Sequence, residues 1–180
     1  MIVVGTLPLF LVLPINDSVE QLYYITPFIG VALLLTGCML FVSDRMAPGK
    51  RTEKNMRFRD ALIIGLCQCV ATIPGLSRSG TTITAGIATG LDRGFAMKYS
   101  FLLSLPAVLG ANLLSFIKAL GEESIELSMV PAYLVGLLAA MLSGIAAISL
   151  MKLIAKKSKF GWFAYYCWGA GLLTIVLSLT

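Results

Sequence analysis

The chain has no histidine, and that absence removes several chemistries at once. Serine–histidine catalysis, histidine ligation of a metal and imidazole proton shuttling have no residue to carry them within it. Charge is scarce as well: 13% of the 180 residues are Asp, Glu, Lys or Arg, against roughly 25% in a soluble domain. With 58% hydrophobic residues and a mean hydropathy of +0.90, the chain belongs to the polytopic membrane class, all-α and read as a single transmembrane domain over 1–180. Its nine carboxylates all fall in expected loops or at their edges, so none is available at mid-membrane depth. The net charge of +5 does not point to nucleic acid. The basic residues gather in two short loops between apolar segments, where they report orientation. Cys38, Cys67, Cys69 and Cys167 lie in apolar runs, and Cys67-x-Cys69 lacks metal-site spacing. They read as soft packing residues.

What is present is a series of apolar stretches of spanning length. Met1 to Leu13 is too short to cross a bilayer, and with no basic leader or small-residue cleavage site it does not read as a signal peptide. It is expected to be the end of a span. Ile25–Ser43, Tyr99–Leu120, Met129–Met151 and Gly161–Leu179 are expected to span. Pro106 is placed as a bend, Lys118 as a snorkelling end, and Trp162, Tyr165, Tyr166 and Trp168 as an aromatic belt. Leu91–Lys98 reads as a short polar connection.

Topology follows from charge. Residues 44–60 hold six basic residues (Arg45, Lys50, Arg51, Lys54, Arg57 and Arg59) against three acids, and Lys152, Lys156, Lys157 and Lys159 form a second basic loop. The positive-inside rule puts both in the cytoplasm. The acidic loops at 14–24 and 121–128 are then outside. The span at 99–120 must start inside, so residues 61–98 begin and end on the same side. About thirty residues are too few for two spans of about 20 each. The segment is therefore expected to be a re-entrant helical hairpin: 61–73 entering, Pro74 to Ser79 turning, 80–90 returning. Irregular backbone at membrane depth survives only where it is buried in protein or lines a wet cavity.

Between Asp60 and Asp92 the only charge is Arg78, inside Pro74-Gly75-Leu76-Ser77-Arg78-Ser79-Gly80-Thr81-Thr82. An arginine at bilayer depth costs roughly 2.5–3.5 kcal/mol on insertion scales, and such residues are as a rule functional. Pro74 is expected to end the incoming half-helix. A second half-helix should start near Ser77 to Thr81, since Ser and Thr are preferred caps, and point its amides and dipole into the cavity. Arg78 adds a charged fork that can grip phosphate oxygens in two places. Ser77, Ser79, Thr81 and Thr82 supply hydroxyls, Gly75 and Gly80 allow close backbone approach, and Gln68 is a candidate for lining the same cavity. A purely structural account is available for most of these: hydroxyls in membrane helices often bond their own backbone, and Gln68 could bond a neighbouring helix. It is weakest for Arg78. Gly86-x-x-x-Gly90 reads as a packing face. No carboxylate, histidine or metal site accompanies the turn to activate a nucleophile, so the sequence reads as half of an active site.

Gly65-Leu66-x-Gln68, the 74–82 run, Gly90-Leu91-Asp92-Arg93 and Tyr99-Ser100-Phe101-Leu102-Leu103-Ser104-Leu105-Pro106 together resemble the undecaprenyl-diphosphate phosphatases associated with bacitracin resistance. Weaker similarity includes Val4-Gly5-Thr6-Leu7-Pro8 and the aromatic last span. The resemblance implies a multi-pass protein of the bacterial inner membrane with a transporter-like inverted-repeat fold. It also implies removal of the terminal phosphate from a C55 polyprenyl diphosphate, so that the monophosphate serves again as a lipid carrier for cell-wall synthesis. It implies that Ser77, Arg78 and Thr82 contact the diphosphate, that Ser79, Gly75 and Gly80 shape the turn, and that magnesium or calcium supports activity, with no ligands for it identified in this chain. The implied partners are the lipid substrate and bilayer lipids, with further copies of the chain left open. The family's earlier hairpin, with two glutamates and a Ser-Ser-x-Gly-His run, has no counterpart here. The chain resembles roughly the last two-thirds of a member, and on its own is expected to lack phosphatase activity. A transporter or flippase of an anionic lipid is the alternative, since half-helix N-termini facing anions are shared with such folds.

Overall fold

The computed structural model describes residues 1–12, 14, 19, 21–47, 49–121, 129–156 and 161–179. Seven α-helices occur among them: α1 (Ile2–Thr6), α2 (Thr26–Arg45), α3 (Phe58–Val70), α4 (Arg78–Ala88), α5 (Arg93–Gly121), α6 (Val130–Lys156) and α7 (Gly161–Leu179). Short 3₁₀ turns cover Leu7–Leu11, Leu22–Tyr24 and Glu53–Asn55. The described residues contain no strand, only an isolated bridge between Arg51 and Leu91. Four helices are long and apolar enough to cross a membrane, over Thr26–Arg45, Arg93–Lys118, Val130–Leu150 and Gly161–Ser178. This is an all-α, multi-pass membrane protein.

The hairpin forms close to where charge parity requires it. At 13 and 11 residues, α3 and α4 are about 20 and 16 Å long at 1.5 Å per residue, short of a hydrocarbon core about 30 Å thick. They enter and leave at one end. Beside their base, Arg51 N–H donates to the Gly90 carbonyl (3.2 Å) and Asp92 N–H to the Arg51 carbonyl (2.7 Å). The Arg51 guanidinium meets Asp60 at 2.6 Å, and Asp60 also accepts from Arg57 N–H (2.9 Å), capping α3. The start of α5 joins the same end: Arg93 donates to Asp44 (2.9 Å) and to the Ser43 carbonyl (2.9 Å). Asp44 in turn accepts from Gly161 N–H at 2.5 Å, which brings in α7.

Three expectations need correction. Pro74 does not itself end the incoming helix. α3 stops at Val70, and Thr72 and Ile73 donate to the Cys69 and Val70 carbonyls in tight i−3 bonds. The Thr72 hydroxyl takes the Cys69 carbonyl as well (2.7 Å); because Ile73 precedes proline and is steered out of the helical region, the last turn winds down early. Residues 93–98 are not a connection but the opening of α5. Asp92 caps it, accepting from Phe95 N–H at 3.0 Å through its carboxylate and from Ala96 N–H at 2.7 Å through its carbonyl. Trp168 is not part of the belt. Its indole N–H donates to the Leu34 carbonyl (3.2 Å) and its ring lies 5.2 Å from that of Phe41, whereas Trp162, Tyr165 and Tyr166 are exposed.

Small residues let the backbones approach, as helix packing within lipid favours. A Cβ on Gly37 would meet the Trp168 ring at 2.5 Å and one on Gly171 would meet the Gly30 carbonyl at 2.8 Å, so α2 and α7 pack tightly. Gly65 lies directly on the backbone of Gly5. Gly86 packs on Ala96, as expected of a packing face, but Gly90 has another role. At φ +89° it ends α4, with Gly90 N–H bonded to the Ile87 carbonyl and Leu91 N–H to the Gly86 carbonyl in a Schellman arrangement. The inner face of the hairpin (Ile64, Ile83, Ile87, Leu91) packs on Ala96, Tyr99 and Leu103 of α5.

Two compact units are distinguished. Met1–Pro106 with Lys159–Thr180 forms the first, and Ala107–Ser158 the second. The first contains α1, α2, the hairpin, the start of α5, and α7; the second comprises the remainder of α5 and α6. Asp17, Glu20, Glu122, Glu123, Glu126, Lys157 and Lys159, on which the acidic loops and part of the second basic loop rest, lie outside the described residues.

Candidate anion-binding site

The turn of the hairpin meets α2 at the middle of its length. Gly75 has φ +90°, a conformation that disfavours every residue with a side chain. A Cβ there would also stand 2.8 Å from both the Ala32 Cβ and the Ile29 carbonyl oxygen, while one on Gly80 would meet Leu40 at 3.3 Å. Thr36, 3% exposed, donates to the Gly75 carbonyl (3.1 Å) and accepts from Ser77 N–H (3.1 Å). Ile29, Ala32, Thr36 and Leu40 therefore place the tip against the central turns of a helix about 30 Å long. The tip lies at membrane depth.

Ser77 caps α4. Its extended backbone (φ −71°, ψ 111°) ends the turn, and its hydroxyl accepts from Gly80 N–H at 3.1 Å. Thr81 N–H bonds the Ser77 carbonyl. The amides of Arg78 and Ser79, the first two of the helix, are then left without a partner among the described residues. The Arg78 side chain is partly buried and makes no hydrogen bond or ion pair with a described residue. Asp44 and Asp60 are engaged by Arg93 and Arg51 at the far end of the hairpin. Ser79 Oγ lies 3.5 Å from Ser77 Oγ and has no closer bond. Two free amides, the positive end of a helix dipole, a hydroxyl and an uncompensated guanidinium are a donor set for an anion.

The expected residues separate into groups. Gly75, Ser77, Arg78, Ser79 and Gly80 lie together at the tip. Thr81 and Thr82 do not offer a free donor: Thr81 Oγ1 bonds the Ser77 carbonyl (2.9 Å). Thr82, 2% exposed, bonds the Arg78 carbonyl (2.9 Å) and lies 2.6 Å from Ser100 Oγ of α5. As folded, the Thr81 hydroxyl braces the first turn of its own helix and the Thr82 hydroxyl ties α4 to α5. Gln68 is 1% exposed, and its Nε2 has no hydrogen-bond partner among the described residues; a buried orphan of this kind costs about 1–3 kcal/mol. Sequence reasoning missed Thr36 and Ser100. Each is one of several hydroxyls in a spanning helix, which by its sequence alone could equally bond its own backbone. No group of three or more His, Cys, Asp or Glu side chains converges among the described residues. The tip's own groups are amides, hydroxyls and a cation, which do not make a divalent-ion site.

Fold and site together define a class, a multi-pass membrane protein whose re-entrant hairpin carries an anion-seeking helix terminus to mid-depth. The family model described as Bacitracin resistance protein BacA matches residues 1–173, and the chain belongs to that family. An undecaprenyl-diphosphatase of Methanosphaera stadtmanae is 40% identical over 180 residues, covering 99% of this chain and 64% of that protein. One of Carboxydothermus hydrogenoformans is 38% identical, over 98% of this chain and 69% of its own length. One of Methanothermobacter thermautotrophicus is 38% identical over 99% of both. The chain thus spans about two thirds of the first two relatives and nearly all of the third.

Proposed function

We propose that this chain binds the diphosphate of a C55 polyprenyl diphosphate at the hairpin tip and serves in its hydrolysis to the monophosphate within the cell membrane. The observation that carries this reading is Arg78, an arginine at membrane depth with no carboxylate partner among the described residues, next to two helix amides likewise unpartnered among them. Family membership and the relatives' names support it. The amides of Arg78 and Ser79 would donate to one phosphoryl oxygen, and the Ser79 hydroxyl to a second. The guanidinium would neutralise charge that builds on the transferring phosphoryl group, where preorganised donors contribute most. Gly75 and Gly80 let the turn pack closely on α2, Gln68 is buried in α3, and Thr81 and Thr82 brace the first turn of α4. The described side chains at the tip include no carboxylate or imidazole that would hold a divalent cation.

Binding of radiolabelled undecaprenyl diphosphate to the purified chain in detergent, with phosphate release followed in parallel, tests this. Arg78→Gln should weaken binding at least tenfold, and Arg78→Lys should recover only part of it, since the fork is lost with the guanidinium. Equal binding by wild type and Arg78→Gln would refute the proposal. Phosphate release by the purified chain itself is the second readout. The Methanothermobacter relative of matching length makes that a measurement worth taking, and release of phosphate would show the catalytic set to be complete within these 180 residues.

A further inference from the structure

We infer that Thr36 is a positioning residue for the anion site, acting on it through the turn rather than by contact. This rests on the reading of the hairpin tip given above. The Thr36 side chain comes from α2, 39 residues before the group to which it donates. One hydroxyl oxygen makes both bonds, giving its proton to the Gly75 carbonyl and receiving that of Ser77 N–H, each at 3.1 Å. These two groups flank Leu76, and neither has a backbone partner among the described residues. At membrane depth water does not reliably replace a missing partner, so both must be satisfied within the protein. A hydroxyl is both donor and acceptor at a single atom. Valine matches its shape and can do neither.

The consequence reaches the ligand groups in two steps. Ser77 N–H is held by Thr36, and the Ser77 side chain holds Gly80 N–H, so the direction of the first turn of α4 is set from α2. The free amides of Arg78 and Ser79 and the root of the Arg78 side chain lie on that turn. Gly75, in its left-handed conformation against Ala32, leaves the peptide following it free to swing once the Thr36 bond is gone. The cap then loses its fixed direction, and the donors converge poorly on an oxyanion.

The test measures equilibrium binding of radiolabelled farnesyl diphosphate, a short-chain lipid diphosphate soluble in micelles, with thermal unfolding recorded on the same samples. Wild type, Thr36→Val, Thr36→Ser and Arg78→Gln are compared. Thr174→Val, whose hydroxyl only bonds its own helix at Ala170, controls for loss of a membrane hydroxyl. Thr36→Val should raise Kd about tenfold, the scale of one well-placed hydrogen bond. Thr36→Ser should lie within about twofold of wild type on the same scale, and Thr174→Val should not differ from it. A merely structural Thr36 would lower the unfolding temperature of Thr36→Val and leave Kd of the folded protein unchanged; that result overturns the inference even if Arg78→Gln loses binding. If Arg78→Gln binds like wild type, or wild type shows no saturable binding, the site reading falls and the inference with it. Should Thr36→Val fail to fold, Thr36→Cys, near in shape and poor as a partner, carries the same expectation and the same refutation.

Discussion

Replacing Gly75 by alanine perturbs the tip in two separable ways. Its φ of +90° costs an L-residue about 1–2 kcal/mol. The added Cβ would stand 2.8 Å from both the Ala32 Cβ and the Ile29 carbonyl oxygen. Neither is the loose end of a side chain; both belong to α2, which Trp168 and the glycine contacts hold against α7. Overpacking against such a wall adds about 1–3 kcal/mol, for a total of about 2–5 kcal/mol. Gly80→Ala is the matched comparison. That residue lies in α4 with ordinary helical geometry, and its Cβ would meet Ser77 Oγ at 3.1 Å, Ser77 Cβ at 3.2 Å and Leu40 Cδ2 at 3.3 Å, contacts that a shift of a few tenths of an ångström relieves. Alanine gains up to about 1 kcal/mol in a helix over glycine, so the net change should stay within about 1 kcal/mol of zero. Unfolding in mixed micelles titrated with SDS and followed by circular dichroism gives both values. If the two variants are equally stable, or Gly75→Ala lies within about 1 kcal/mol of wild type, the turn is not constrained as argued here.

Two further comparisons test the scaffold. Thr82→Val should cost about 1–3 kcal/mol, because it leaves the buried Ser100 hydroxyl without its 2.6 Å partner. In a double-mutant cycle with Ser100→Ala the penalties should be less than additive. Arg93→Ala should cost about 3 kcal/mol, since it strips a partner from Asp44 where both side chains are under 20% exposed. Lys98→Ala removes a 3.5 Å pair with Glu53 that is 64% and 76% exposed and should change stability by less than about 1 kcal/mol; equal losses would refute the ranking.

The hairpin was legible because two physical constraints happen to be written linearly. Charge bias in the loops counts crossings, and about thirty apolar residues between two same-side loops cannot cross twice. Its ends came out two or three residues early, because the wind-down at Thr72 and Ile73 and the cap at Ser77 depend on which local hydrogen bonds win. Asp92 could have been recognised as a cap followed by a helix; its neighbours Arg93 and Lys98 looked like loop only because their partners, Asp44 and Glu53, are distant in sequence. Thr81 and Thr82 looked like ligand groups for the opposite reason. Their nearest bonds are one turn back in their own helix or across to Ser100, and a list of hydroxyls does not say which face they occupy.

By itself the sequence determined the class of protein, the re-entrant segment and the presence of a lone arginine within it, because each follows from composition and order along the chain. Tertiary structure alone decided that the tip lies against the middle of α2, that one threonine there bonds both the Gly75 carbonyl and the Ser77 N–H, and that no carboxylate among the described residues reaches Arg78. Those are facts about distances between residues up to about forty positions apart. Hydrogen bonds and ion pairs are satisfied by proximity in space, which the order of residues leaves open until the helices pack.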